Sequence, residues 1–315
     1  MNWILKKISN SKFGNNINKF IEKKFPSKLE QANSKYISCH GLPIDKNNLK
    51  KNYMVCPDCN FHHYLSPTSR YNMWFGQNNW LEIKSAEPSP DPYHWKDTKK
   101  YIDRLKDAKK NTGQDNAILS CEAKINNIDV VVSAVDFKFI GGSISMAEGE
   151  NVLAAVQRAI EKKVPYIFVS ASGGMRMMTN ILSLMQMTRM TIAINELKTA
   201  GLFFGVVITS PTTGGLSASI VSLSDICWAE SGAVYAFAGR RIVQAQTPGE
   251  LPENFQTVEW ARDKSGQIDL VLDRKDIYPT IGKILSILLK KNSVVISSIE
   301  NETSEDSQSL TRTAS

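Results

Sequence analysis

The sequence predicts an α/β fold in which strand, turn and helix recur along one coil, with a small cysteine-bearing module ahead of it. Three observations carry this expectation. In VPYIFVSASGG, starting at Val164, a run of aromatic and β-branched residues stops at Gly173 and Gly174, and apolar residues then recur at helical spacing as far as Leu197. In LFFGVVITSPTTGG the same build returns and stops at Gly214 and Gly215, 41 residues after Gly173. Two such units one repeat apart predict parallel strands whose turns face the same way. Third, Cys56 and Cys59 form a C-P-x-C knuckle of the zinc-ribbon kind, which fixes two of four tetrahedral ligands.

Taken in order, residues 1–34 read as a basic arm. Residues 1–52 hold eleven lysines against three acids, so the +7 of the whole chain belongs to its start and the body is close to neutral. The arm reads either as a solvated flank or as a segment attracted to polyanions such as RNA. No apolar run approaches the length of a membrane helix. The start lacks a signal-peptide core, and the first arginine is Arg70, which argues against an Arg-rich presequence. A cytoplasmic protein is expected, or one of the plastid stroma if the source is organellar. Five cysteines suit metal binding in a reducing compartment better than a disulfide framework.

Residues 35–64 form the ribbon-like module. A complete ribbon would show a second C-x-x-C upstream of Cys56, where this chain offers Cys39 and His40. The expected metal ligands are therefore Cys56, Cys59, Cys39 and His40, with a metal-free module held by packing as the alternative. Residues 65–115 read as a connector. SAEPSPDPYHW must be an extended loop, and the polar amphipathic helix after it closes at Gly113.

The main domain is expected over 116–292. Two strands meet around Asn126-Asn127, and the chain turns at Gly141-Gly142 into a helix ending at Lys162-Lys163. The two glycine-turn units follow, then two short strands with a helix, and a last strand with an apolar-faced helix. Residues 293–315 lack apolar content and read as a disordered tail. At each turn, paired glycines at a helix N-terminus direct backbone amides outward, a cradle for an oxyanion. The helix after Gly174 carries six of the ten methionines and is apolar on several faces, as a core or interface helix would be.

CPDC, YIDRLKDAKKNTG, DFKFIGGSISMAEGE, SASGGMRM, LSLMQM, SPTTGGLSAS and FAGRRIV occur in one order. From about Lys35 to Lys291 the chain resembles the β subunits of the carboxyltransferase component of multi-subunit acetyl-CoA carboxylase. The resemblance implies a crotonase-like (ClpP/crotonase) spiral of ββα units with an N-terminal zinc ribbon. It implies transfer of a carboxyl group from carboxybiotin, on the biotin carboxyl carrier protein, to acetyl-CoA, giving malonyl-CoA for fatty acid synthesis. Gly173, Gly174, Gly214 and Gly215 match the oxyanion-binding turns, and Arg176 becomes a candidate for CoA phosphate. It further implies an α2β2 assembly with a carboxyltransferase α subunit, which brings the other half of the site, and a biotin carboxylase in the full complex. The chain departs from the family at Ile37-Ser-Cys-His40, at Met175 in place of Ala, and at Asn180. Two other readings remain at this point. A hydratase or isomerase would need a carboxylate, for which Glu148, Glu150 and Glu230 are candidates. An inactive paralogue would bind RNA through the ribbon and arm.

Overall fold

The computed structural model describes residues 36–40 and 42–289, so the arm and the tail expected at the two ends lie outside the described residues. The chain divides into two compact units, Met1–His63 and Tyr64–Ser315. In the first, β1 (Tyr36–Cys39) pairs antiparallel with β2 (Leu42–Asp45), and Asp45 caps α1 (Lys46–Lys51) by accepting from the Asn47 amide. Cys39, Ile44, Leu49 and Cys56 make its small core.

The second unit begins with α2 (Pro67–Phe75), β3 (Leu81–Glu82) and α3 (Tyr101–Thr112). Ser66 caps α2 ahead of a proline in its first turn, and Gly113 closes α3 in a left-handed conformation. β4 (Ile118–Ile125) and β5 (Ile128–Val135) form a hairpin whose two-residue loop, Asn126-Asn127, has both φ angles positive, as the right-handed twist of paired strands favours. α4 (Met146–Lys162) starts with a Ser145/Glu148 capping box. Then come β6 (Tyr166–Ser172), α5 (Asn180–Thr199), β7 (Phe204–Thr213), α6 (Gly215–Ala218) and β8 (Ile226–Glu230). β9 (Tyr235–Ala236), α7 (Arg240–Gln246), α8 (Val258–Ser265), β10 (Leu270–Leu272) and α9 (Arg274–Leu288) complete it.

The sheet runs β10-β8-β7-β6-β5-β4-β3, with β9 beside the end of β7. β5 through β10 are parallel, as the repeated units predict, and only the β3-β4-β5 edge is antiparallel. Both sheet faces are covered, so alternate residues of one strand enter different cores. Tyr166 and Phe168 of β6 join Phe204, Val206 and Ile208 of β7 against α4 and α5, while Ile167, Val169 and Val207 face Tyr71, Trp74 and Phe75 of α2 and Ile277, Ile281 and Leu285 of α9.

One expectation is corrected here: no helix starts at Gly174. The chain stays extended through Met175, which pairs with Ile144 as a parallel bridge. It then makes a short 3-10 turn at Met177–Thr179, and α5 begins only at Asn180. The Ile144 amide donates to the Gly174 carbonyl at 2.9 Å and the Arg176 amide to the Ile144 carbonyl at 2.8 Å, so two further ladder bonds are made before the chain can coil. Asn180 (φ 47°, ψ −127°) occupies a backbone conformation that suits glycine at the junction.

Candidate active site

Three glycine turns stack along the coil. Gly142 is packed so closely that a Cβ there would lie 2.1 Å from the Ala171 carbonyl oxygen. Gly174 (φ 108°) and Gly214 (φ 68°) face each other across β6 and β7: a Cβ on Gly174 would lie 3.2 Å from the Gly214 Cα and 3.3 Å from the Gly215 nitrogen. Both adopt conformations that L side chains rarely enter, and a Cβ on either would press on the backbone opposite at 3.1–3.2 Å.

The hydroxyls at the strand ends lock these turns together. Ser172 Oγ donates to the Gly142 carbonyl (2.7 Å) and accepts from the Gly174 amide (2.9 Å). Thr209 Oγ1 donates to the Ser170 carbonyl (2.7 Å), and Thr213 Oγ1 to the Ser172 carbonyl (3.2 Å). The Gly173 amide donates to the Gly141 carbonyl at 2.8 Å and the Gly214 amide to the Phe237 carbonyl at 2.9 Å. Three of the four glycine amides expected to face an oxyanion thus already serve the fold. Among the described residues, the amides without an acceptor at the two turns include those of Met175, on the far side of its bridge to Ile144, and Gly215, the first residue of α6, whose next two amides are equally open. Each lies next to the Gly174–Gly214 contact, one on either side of the β6–β7 seam.

Arg176 is corrected from a candidate phosphate ligand to an internal strut. It is 3% exposed; its Nη2 donates to Glu148 Oε1 at 2.6 Å, its Nη1 to the Tyr101 hydroxyl at 3.0 Å and its Nε to Ser143 Oγ at 3.1 Å. Burial disfavours its charge, but Glu148 beside it outweighs that and holds the guanidinium above its ordinary range. The three carboxylates weighed as hydratase bases are all engaged. Besides Arg176, Glu148 accepts from the Ser145 and Ala117 amides at 2.9 and 3.0 Å. Glu150 pairs with Arg189 at 2.7 Å, and Glu230 is buried between Arg70 (2.8 Å) and Arg274 (2.6 Å).

In the first unit three of the four expected metal ligands, the cysteines, come together, and His40 lies beside two of them. Cys39, Cys56 and Cys59 offer sulfurs that all lie within 4.8 Å of one another. Cys39 and Cys59 are 3.6 Å apart, and His40 Nδ1 is 3.4 Å from the Cys39 sulfur and 3.3 Å from that of Cys59. Tetrahedral zinc with ordinary bond lengths sets S···S at about 3.8 Å and S···N at about 3.6 Å, close to the Cys39–Cys59 distance and to those from His40 to these two sulfurs. His40 is left-handed (φ 49°), and its ring lies beside the Cys39 sulfur. Burial would raise the Cys56 thiol, but the Cys59 and Asp58 amides directed at its sulfur lower it, as a metal-binding knuckle needs. Burial and the neighbouring sulfurs push Cys39 up to about 12.

On α5, Met190, Ala193, Ile194 and Leu197 are buried, while Ile181, Leu184, Met185 and Ile192 are each more than half exposed, and Met177 just ahead of the helix is 78% exposed. No helix among the described residues is long and apolar enough to cross a membrane.

Comparison with known proteins gives a consistent result. The carboxyl transferase domain family matches residues 99–313. Acetyl-coenzyme A carboxylase carboxyl transferase subunit beta of Pelagibacter ubique is 49% identical over 315 residues, all of both chains. The Rhodopseudomonas palustris (strain HaA2) protein of the same name is 39% identical over 83% of this chain and 81% of its own. Among solved structures, the transcarboxylase 12S hexamer with methylmalonyl-coenzyme A bound matches with a TM-score of 0.58 at 18% identity, over 88% of this chain and 48% of the other. The Pseudomonas malonate decarboxylase MdcD-MdcE heterodimer matches at 0.53 over 70% of this chain and 85% of the other, again at 18% identity. At that identity the structures speak to the fold, which is the crotonase-like one of carboxyl transferases.

Proposed function

The chain belongs to the carboxyl transferase family, among the beta subunits of acetyl-CoA carboxylase carboxyl transferase, and from that premise we propose that it forms malonyl-CoA from acetyl-CoA and carboxybiotin by holding the thioester oxygen with backbone amides. The observation that carries this reading is the pair of acceptor-less amides, Met175 and Gly215, beside the Gly174–Gly214 contact. As the methyl carbon of the acyl group loses its proton, charge moves to the thioester oxygen, and donors fixed in place for that oxygen lower the barrier. Each such donor contributes about 3 kcal/mol.

Carboxybiotin, arriving on the carrier protein, would supply the carboxyl group as its N–C bond breaks to release carbon dioxide to the enolate carbon, and the ureido nitrogen freed in that step would take the methyl proton. A side-chain base is then unnecessary, in keeping with the engagement of Glu148, Glu150 and Glu230 in internal ion pairs. A hydratase has no free carboxylate among these three. Gly173 and Gly174 shape the first turn, and their amides hold it to Gly141 and Ser172; Gly214 and Gly215 shape the second.

The other half of the site comes from the carboxyltransferase α subunit. The apolar residues exposed on α5 are the contact surface this reading assigns to it, in an α2β2 complex that works with the biotin carboxyl carrier protein and biotin carboxylase. The first unit holds zinc through Cys39, His40, Cys56 and Cys59. The zinc would stabilise that unit. RNA binding by the basic arm concerns residues outside the described ones, and no contact in the ribbon favours it. The protein works in the cytoplasm, as its bacterial relatives lead one to expect.

The decisive experiment is the reverse reaction: the chain co-purified with its α subunit, supplied with malonyl-CoA and biocytin. Acetyl-CoA should form at a rate proportional to the complex. A verified complex without turnover would overturn the reading.

A further inference from the structure

We infer that the side chain of Met175, seated over Gly215 together with Met187, limits the acyl group the site accepts to two carbons. The inference rests on the carboxyltransferase reading above and adds a selecting residue to it. A Cβ built on Gly215 would lie 2.8 Å from Met175 Cγ, 3.3 Å from Met175 Cε and 2.9 Å from Met187 Sδ. Two thioether side chains from different segments therefore fill the space beside the very amide that receives the thioester oxygen. An acyl chain whose oxygen is held there carries its next carbons into that space, and each added methylene must displace a methionine.

Methionine is usually an adaptable neighbour. Here the nearest atom is Cγ, the stem of the side chain, which moves only with χ1 or with the backbone. The backbone is fixed on both sides of Met175 by the bonds between Ile144 and the Gly174 carbonyl (2.9 Å) and between Arg176 and the Ile144 carbonyl (2.8 Å). Arg176, the next residue, is anchored in its buried pair with Glu148 at 2.6 Å. The other side of the space is closed by Met187 of α5. The wall therefore cannot retreat as a loop would, and it discriminates by size.

The test measures kcat/KM for malonyl-CoA and for methylmalonyl-CoA, with biocytin as acceptor, on the complex with the α subunit. The variants are Met175→Ala, Met175→Leu and Met187→Ala. In the parent, methylmalonyl-CoA should be the poorer substrate. Met175→Ala should raise the methylmalonyl/malonyl ratio by about 10- to 200-fold, the range that one methylene commands in an apolar pocket. Met175→Leu, which keeps the stem, should hold the ratio within about threefold, and Met187→Ala should raise it by a smaller factor than Met175→Ala. General damage lowers both activities together and leaves their ratio alone. An active Met175→Ala complex with an unchanged ratio refutes the inference and leaves the carboxyltransferase reading standing. A parent complex inert toward malonyl-CoA overturns both. Should Met175→Ala fail to assemble, the ratio in Met187→Ala decides, and no rise there refutes the inference.

Discussion

Replacing Gly174 by alanine tests the glycine seam where it is tightest. The added methyl would stand 3.2 Å from the Gly214 Cα, 3.3 Å from the Gly215 nitrogen and 3.4 Å from the Thr213 carbonyl oxygen, all backbone atoms that cannot rotate away. It would also sit at φ 108°, and residues forced into such regions cost about 1–3 kcal/mol. For a unit of this size each kcal/mol lowers Tm by about 2–4 °C, so a fall of roughly 2–12 °C is expected. The strain is relieved by pushing the β7 end away, which moves the Gly215 amide off its position. Losing that donor should cost about 10²–10³ in kcat. Calorimetry of the isolated chain reads the first effect, and malonyl-CoA-dependent turnover of the α-bound chain reads the second. A Gly174→Ala complex that melts with the parent and turns over at the parent rate would falsify the claim that this contact positions a donor.

Other perturbations separate the remaining features. Asn180→Gly should raise Tm by a few degrees, because it removes about 1–3 kcal/mol of backbone strain against a smaller entropic loss in the unfolded chain; an unchanged or lower Tm contradicts the strain at φ 47°. Arg176→Met leaves Glu148 as an unpaired buried charge and should destabilise the second unit by about 3–5 kcal/mol, or roughly 6–20 °C in a melting scan, whereas a substrate-binding arginine would leave Tm unchanged and raise KM. Zinc should co-purify with the chain, be lost in Cys59→Ser, and dissociate as the pH falls, since protons then compete for the sulfurs and the imidazole; full metal retention in Cys59→Ser would exclude this site. Leu184→Asp with Met185→Asp should abolish co-purification with the α subunit while the circular dichroism of the chain stays that of the parent, and a complex that survives both changes would move the contact surface away from α5.

Much of this architecture is legible in the chain because each parallel strand is buried on both faces and bounded by glycine. Tyr166 to Val169 form an unbroken apolar run because adjacent residues enter separate cores, and Asn126-Asn127 mark a hairpin because left-handed pairs suit that turn. The glycine pairs locate the turns, but which amides stay unbonded depends on distant acceptors. Gly173 is satisfied by Gly141, and Gly214 by Phe237, partners that local pattern does not disclose. Amides free to act as donors are therefore those of Met175 and Gly215, while those of Gly173, Gly174 and Gly214 are bonded. Arg176 was hidden for a similar reason: an arginine beside a turn reads as exposed until Glu148, 28 residues earlier, is folded against it. That His40 lies beside the Cys39 and Cys59 sulfurs depends on a left-handed backbone, which leaves no mark on residue type.

The seam between Gly174 and Gly214 has one more consequence. Its two amides are main-chain groups just beyond the paired ends of β6 and β7, so their positions are set by the backbone and by no rotamer. Such a site is preorganised by the sheet: its dipoles need not reorient as charge develops, and the reorganisation energy that solvent would demand was spent once, when the strands paired during folding. Side-chain drift around it, Met175 included, alters what may enter while leaving the electrostatic device intact.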